Sequence, residues 1–559
     1  MKLADIDKIF DDNAGMRVVA PLEVEESGVD PIGLRQINLD LMDNVAPGIN
    51  NVTQHVRYYT FVAWAAWKAS TQAAHEGVDD PQVIADLMER YEALYAWSHL
   101  LDGRPFRGAT PLRQTIARTP VGEAFRFEGE VWDKYKRTRT NIMAPTEYGP
   151  SIKALRYLSL DEAIVTNQVM PAVVNFEVRV QEVLSPHLLA VAPPSVKASE
   201  IEEFAKELPV EAPSDVERAV FKLMFHEIGS DELATPAMRR RKGTIDYLIG
   251  VLKEMGPSTL DEIRKRFVAN RLPVGIVGDV EHATQSAIML AYLQARQLQR
   301  LATEAMLLWT ERVLTEESEG GAPRPLSTEE LVSRADAAAA NLDDTYRGSE
   351  TVGDYFASVV SMGEGSGWPA SAAHAGTAVV DLVASLREAQ QKDPTRIPGL
   401  AVRGFAVVKA VNDALSLADL PQASQRVVDG RPDRLPMSLM STRLEAISGR
   451  PRASMWAEII EGWVIGQHVH WSAVRGGDGN QRLRIALEEA GWMRVRKRAT
   501  GTFVPTADRL YTMLALGASC GLIQRTDDGR FALNRPFAGQ TSRPSAEAHQ
   551  TVQMSDGLG

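Results

Sequence analysis

Apolar residues recur every three to four positions through most of the chain, the spacing of one buried helix face. Leu34, Ile37, Leu41 and Val45 keep that spacing over 34–45. Asp30-Pro31 ahead of them reads as a helix opening: the carboxylate can cap, and a missing N–H costs nothing in the first turn. Pro47-Gly48 and Asn50-Asn51 then break the chain into a loop. After Thr53, the predicted cap, a second helix carries two stripes, Val56, Tyr59, Ala63, Trp67 and Tyr58, Phe61, Val62, Ala65. A helix apolar on nearly every side is predicted to lie among other helices. A third, opening at Asp80-Pro81, puts Val83, Leu87, Tyr91, Leu94 and Tyr95 on one face and completes a helical core over 30–101.

Further along, loops mark 102–111, and Pro193-Pro194 ends a helical region. Residues 199–228 read as two charged helices split at Pro213. The basic run Arg239-Arg240-Arg241-Lys242 leads into a helix over 244–254 and then Gly256-Pro257. Ser258-Thr-Leu-Asp-Glu262 has capping-box spacing. Helix, tight turn and capped helix form the opening of a helix-turn-helix, but no recognition helix follows in the sequence. A long helix is predicted over 280–315, a linker over 320–325, and helices over 327–425 interrupted by a Gly-rich loop at 361–369.

The pattern over 452–535 is more specific. A helix over 453–474 carries Trp456, Trp463 and Trp471. A second is predicted over 481–490, stopped by Gly491, and a hairpin pairs 495–499 with 502–504. A third helix, 506–519, precedes strands at 522–525 and 530–533 joined by Thr526-Asp-Asp-Gly529. Helix, Gly stop, strand, Asp-Gly turn and strand is how a winged helix finishes. The sequence shows no convincing internal repeat; the two helix-then-hairpin units at 481–504 and 506–533 come nearest to one. The expected fold class is mainly α, a multidomain helical protein: an N-terminal helical domain (1–195), a helical domain with a helix-turn-helix opening (196–320), a third helical domain (321–450), a winged-helix-like module (451–540) and a disordered tail (541–559).

Composition narrows the function. The 559 residues carry a net charge of −12, so no global field draws the chain to nucleic acid, and DNA contact would need a local basic patch. Cys520 is the single cysteine, which excludes an intramolecular disulfide and a thiolate-rich metal site. No signal peptide or apolar run of about 18 residues occurs, so a cytoplasmic protein without membrane association is expected. The phosphate-loop, dinucleotide, zinc-protease and serine-hydrolase motifs are missing, and no cofactor is expected. His468 and His470, two apart on a helix, point in different directions; packing residues on a Trp-rich helix fit them better than metal ligands. Glu147-Tyr148 with Lys153 would suit a nuclease only with a strand scaffold and a second carboxylate.

Basic clusters carry the remaining signal. Between 475 and 498 there are seven basic and three acidic residues. Arg475, Arg482, Arg494, Arg496, Lys497 and Arg498 are the candidate phosphate contacts, weighed against a solvated charged face. Trp132-Asp-Lys-Tyr-Lys-Arg-Thr-Arg139 mixes aromatics with Lys134, Lys136, Arg137 and Arg139, the composition of a single-strand stacking surface or of one exposed helix face. Arg57 is a permanent charge inside an apolar helix, so it must be paired or face a cleft. Asp40 and Asp43 are its expected partners, with a structural ion pair favoured over an anion site.

Asp30-Pro31-Ile32-Gly33-Leu34, Pro47-Gly48-Ile49, Val56-Arg57-Tyr58-Tyr59 with Phe61 and Trp64, and the later Tyr148-Gly149-Pro150 with Leu155 form a set. It resembles the N-terminal signature of a group of bacterial proteins encoded in defence islands, near helicases and restriction-type genes. The likeness covers about the first third of the chain. It implies anti-phage or mobile-element defence as a context and carries over no catalytic residue. The expectation is a non-catalytic, DNA-associated component of a defence or DNA-processing system. Its partners would be DNA and other subunits, such as a helicase or ATPase. The alternatives are a nuclease effector and a phage-sensing scaffold that binds only protein.

Overall fold

The structure is a computed structural model. It describes residues 30–534 except 121, 139–150, 153, 159–164, 228–233, 270–271, 275, 277, 320–323, 362–371, 417, 419, 476–481 and 496–500. Helix accounts for 68% of the described residues and strand for 6%, so the chain is mainly α. The loop at 361–369, the nuclease-like pair Glu147 and Lys153, and the tail lie largely or wholly outside the described residues.

The first helices are α1 (Arg35–Val45), α2 (Arg57–His75) and α3 (Pro81–Leu101). Asp80 caps α3, accepting the Gln82 N–H at 2.8 Å with Pro81 in the first turn. Two expected caps differ. Asp30 accepts the Arg35 N–H across a turn, so α1 starts later than Pro31. Thr53 is not the N-cap: α2 starts at Arg57 after Val56, and Ser519 Oγ accepts the Val56 N–H. The region continues with β1 (Ala124–Arg126), α4 (Gly129–Thr138), α5 (Met170–Val183) and β2 (Ser195–Lys197), which pairs antiparallel with β1.

Next come α6 (Asp215–Phe225), α7 (Pro236–Met255), α8 (Leu260–Val268) and α9 (Val280–Glu319). The expected capping box opens α8: Thr259 Oγ accepts the Glu262 N–H at 3.3 Å, and Glu262 accepts the Thr259 N–H at 2.7 Å. The basic run expected before a helix instead lies inside α7. Arg241 is 1% exposed and donates to the Met224, Phe225 and Pro47 carbonyls. Two of these are orphan carbonyls at the C-terminus of α6, where the helix dipole favours a cation. At 40 residues, α9 runs about 60 Å. It packs against α1, α7 and α8 and is the axis of the protein. Around it lie α10 (Thr328–Leu342), α11 (Ala372–Lys392), α12 (Ile397–Leu415) and shorter helices.

The C-terminal region holds α13 (Ser454–Ala457), a π-helical stretch (Glu458–Gly466) and α14 (Gln467–Val474), continuous as expected. The antiparallel hairpin β3 (Ile485–Glu488) and β4 (Gly491–Arg494) follows, then α15 (Leu510–Ser519) and the hairpin β5 (Ile523–Arg525) and β6 (Phe531–Leu533). The final hairpin stands where expected, but the final helix starts at Leu510, four residues later than the expected 506. The helix expected over 481–490 and the hairpin expected over 495–504 do not stand where expected. Residues 485–488 are strand, 496–500 lie outside the described residues, and 501–508 have no regular structure. The misread residue is Gly491, which is no helix stop. At φ +136° it lies against Leu326, where an added Cβ would fall 2.4 Å from the Leu326 carbonyl oxygen.

That close approach belongs to a repeated arrangement. Leu326 and Trp492 exchange both backbone hydrogen bonds, at 2.9 and 2.8 Å. Ser258 and Phe531 do the same, at 2.9 Å each. In both cases a single bridging residue follows a long helix (α7 or α9), immediately precedes a capping-box helix (α8 or α10), and pairs with the second strand of a distant hairpin. One unit is nested in the other: 280–342 and 454–494 lie between 236–268 and 508–534. This pairing of arrangements is not legible in the sequence, and its limits differ from those of the units 481–504 and 506–533. Most of the buried apolar residues form one cluster running from Ile32 to Phe531.

Candidate functional site

α4 is amphipathic, so its aromatics point inward. Trp132 and Tyr135 are 2% and 3% exposed and stack on each other at 5.3 Å, against Phe127. No base can reach those rings, so they form no stacking surface. Lys136 is held by Asp86 at 3.0 Å and Asp133 at 3.3 Å. Lys134 and Arg137 are exposed, and Arg139 lies outside the described residues.

The second basic segment is also partly engaged. Arg475 pairs with Asp30 at 3.2 Å, and Arg494 donates to Thr315 Oγ1 at 2.7 Å. Arg484, which sequence reasoning left off the candidate set, is buried and faces Glu311 at 3.7 Å. Arg482 is half-buried. Arg496, Lys497 and Arg498 lie outside the described residues. The hairpin tips are acidic: Glu488 and Glu489 at β3–β4, Asp527 and Asp528 at β5–β6.

Arg57 is wholly buried, and its partner is Glu217 on α6, at 2.7 Å. It also donates to the Pro209 carbonyl at 2.7 Å. The expected partners face away: exposed Asp40 accepts from Gln36, and Asp43 pairs with Arg509. The ion-pair reading stands with a different carboxylate, one that also closes the capping box with Ser214.

The turn at 30–34 is the best-held polar constellation. Asp30 takes Arg475 and the Arg35 N–H, with Arg434 at 3.6 Å. Arg434 donates to the Gly33 carbonyl at 2.9 Å and lies 3.7 Å over the Trp471 ring, while Arg475 sits 5.2 Å from that ring. Gly33, at φ +76°, leaves no room for a Cβ, which would overlap the Trp471 indole. His468 Nε2 accepts the Arg484 N–H at 2.9 Å, so Nδ1 carries the proton donated to the Pro31 carbonyl at 3.2 Å. The histidine is thereby a structural bridge, as the packing reading expected. Asp30, Pro31 and Gly33 thus tie the start of the described chain to its C-terminal half; Tyr148-Gly149-Pro150, singled out with them in the sequence, lies outside the described residues.

Groups with perturbed acidity are also built in. Burial lowers His99 to about 4; its ring nitrogens meet the Tyr95 carbonyl and the Val210 N–H. Burial pushes the Cys520 thiol up, away from a nucleophile's range. It also pushes Glu304 up to about 7 against the pull of Arg300. Among the described residues no three His, Cys, Asp or Glu side chains are placed to hold a metal ion, and no helix is long and apolar enough to cross a membrane. Sequence reasoning missed the buried polar row of α9, among it Gln294, Gln297 and Arg300. Their signal is a run of Gln and Arg at positions that helical periodicity assigns to an interior.

The chain matches no family model, no curated protein and no solved structure.

Proposed function

We propose that the chain is a non-catalytic assembly subunit of a bacterial defence or DNA-processing system, with two nested winged-helix-like modules that bind protein. In a winged helix that reads DNA, the third helix lies exposed in the major groove and the hairpin straddles phosphates. Here α15 occupies the third-helix place in one module, carries no charged residue and is largely buried. The stretch over 454–474 occupies it in the other, with Trp456 and Trp463 fully enclosed. Acidic hairpin tips repel phosphate. The buried third helices are the observation that carries the reading: such modules serve as rigid packing blocks with their outer faces left for partners. The defence context comes from the likeness of the segment 30–64.

A DNA-associated reading keeps as support the run Arg496-Lys497-Arg498 just after β4 and the exposed Lys134 and Arg137 on α4. Fluorescence anisotropy of labelled duplex and single-stranded DNA, between about 50 and 200 mM salt, separates the two. The assembly reading predicts no salt-dependent binding. Binding that falls steeply with salt and is lost in R496E/K497E/R498E would overturn it in favour of DNA.

A further inference from the structure

Residues 503–508, Phe-Val-Pro-Thr-Ala-Asp, cross the surface of α9 and α11 as an extended strap without regular structure. Their backbone is held by side-chain amides. Gln390 donates to the Phe503 carbonyl at 3.2 Å and accepts the Phe503 N–H at 2.7 Å. Gln297 donates to the Thr506 carbonyl and accepts the Thr506 N–H at 3.1 Å. Each primary amide thus offers a donor and an acceptor to one residue, as a neighbouring strand would. Side chains are read as well. Arg300 donates to Thr506 Oγ1 and, at 3.3 Å, to the Val504 carbonyl. Asp508 takes Arg264 from α8 at 2.7 and 3.1 Å and Gln294 at 3.0 Å. The Arg484 guanidinium lies 5.7 Å from the Phe503 ring.

Gln297 and Gln390 are 4% and 0% exposed. A buried amide is costly unless both its ends are matched, and the strap matches them. Val504 and Ala507 face solvent. Backbone clasps at two residues, specific contacts to a hydroxyl and a carboxylate, and an open outer face are the features of a bound peptide.

We infer that the surface formed by Gln297, Arg300, Gln390, Gln294 and Arg264 is a recognition site for an extended peptide, occupied here by the chain's own strap. Its ligand class is an unstructured protein segment with an aromatic residue three positions before a threonine and a carboxylate two positions after it. This deepens the assembly reading and rests on it: the partner segment would replace the strap at a site whose polar groups are already placed.

The test uses the full chain and a fluorescein-labelled peptide of sequence Gly-Thr-Phe-Val-Pro-Thr-Ala-Asp-Arg. In the wild type the strap holds the site at a high effective concentration, so the peptide binds weakly. T506A/D508N loosens the strap and should bind the peptide at least about tenfold more tightly. Replacing Thr and Asp in the peptide, or adding Q297A/Q390A to the chain, should remove that gain. D508N alone, the milder variant, should give a smaller gain in the same direction. A variant that melts cooperatively and gains no affinity, or binds both peptides equally, overturns the site. DNA binding in the anisotropy experiment would remove the assembly reading without touching this result.

Discussion

Leu326 and Trp492 face each other as a reciprocal backbone pair, with Gly491 beside them pressed on the Leu326 carbonyl. The pair joins the residue just before the Ser327 cap of α10 to the hairpin that follows α14. The region φ +136° is open only to glycine, so Gly491→Ala is both strained and in collision. It should cost about 1–3 kcal/mol, read as a lower denaturant midpoint. Gly501→Ala is the control, since nothing lies within 4 Å of its Cβ position; it should stay within about 0.5 kcal/mol of wild type.

Arg57→Ala leaves the Glu217 carboxylate buried without its counter-charge. The expected loss is about 3–5 kcal/mol in chemical denaturation. Arg57→Met/Glu217→Leu should recover a large part of it, because neither charge then remains inside. Asp43→Asn removes only an exposed partner of Arg509 and should cost less than about 1 kcal/mol. A large effect of Asp43→Asn with a small one of Arg57→Ala would reverse the assignment of the partner.

His99 gives a pH dependence of defined sign. Burial lowers its folded pKa to about 4 from 6.5 in the open chain. Between those values the unfolded chain binds more protons. The stability that His99 contributes is therefore complete above pH 6.5 and is lost as pH falls through about 4. The loss is on the order of 3 kcal/mol. Thermal melts of His99→Gln against wild type should differ less at pH 5 than at pH 7.5; an unchanged difference would remove the histidine as the cause.

What the sequence discloses depends on how far the deciding contact lies along the chain. The caps at Asp80 and Thr259 and the turn at Thr526–Gly529 are set by neighbours within a few residues, and they stand where the spacing puts them. That Arg57 needs a partner is legible, because a charge in an apolar helix must be matched; that the partner is Glu217 is not. Gly491 is ambiguous on its own, serving equally as a helix stop or a place of close approach, and Leu326 decides it. The segment 132–139 misleads because its composition suits a stacking surface while its helical periodicity buries the rings: Trp132 and Tyr135, three apart, share the inward face. The clasp by Gln297 and Gln390 needs a third segment to be seen at all.

Hydrogen exchange in a Phe531→Ala variant tests the nested arrangement most directly. Phe531 is 2% exposed, and its loss should cost about 3–5 kcal/mol. Because Phe531 pairs with Ser258, the account predicts faster exchange in α7 and α8 as well as in α15, β5 and β6. Faster exchange confined to 510–533, with 236–268 as protected as in wild type, would contradict it.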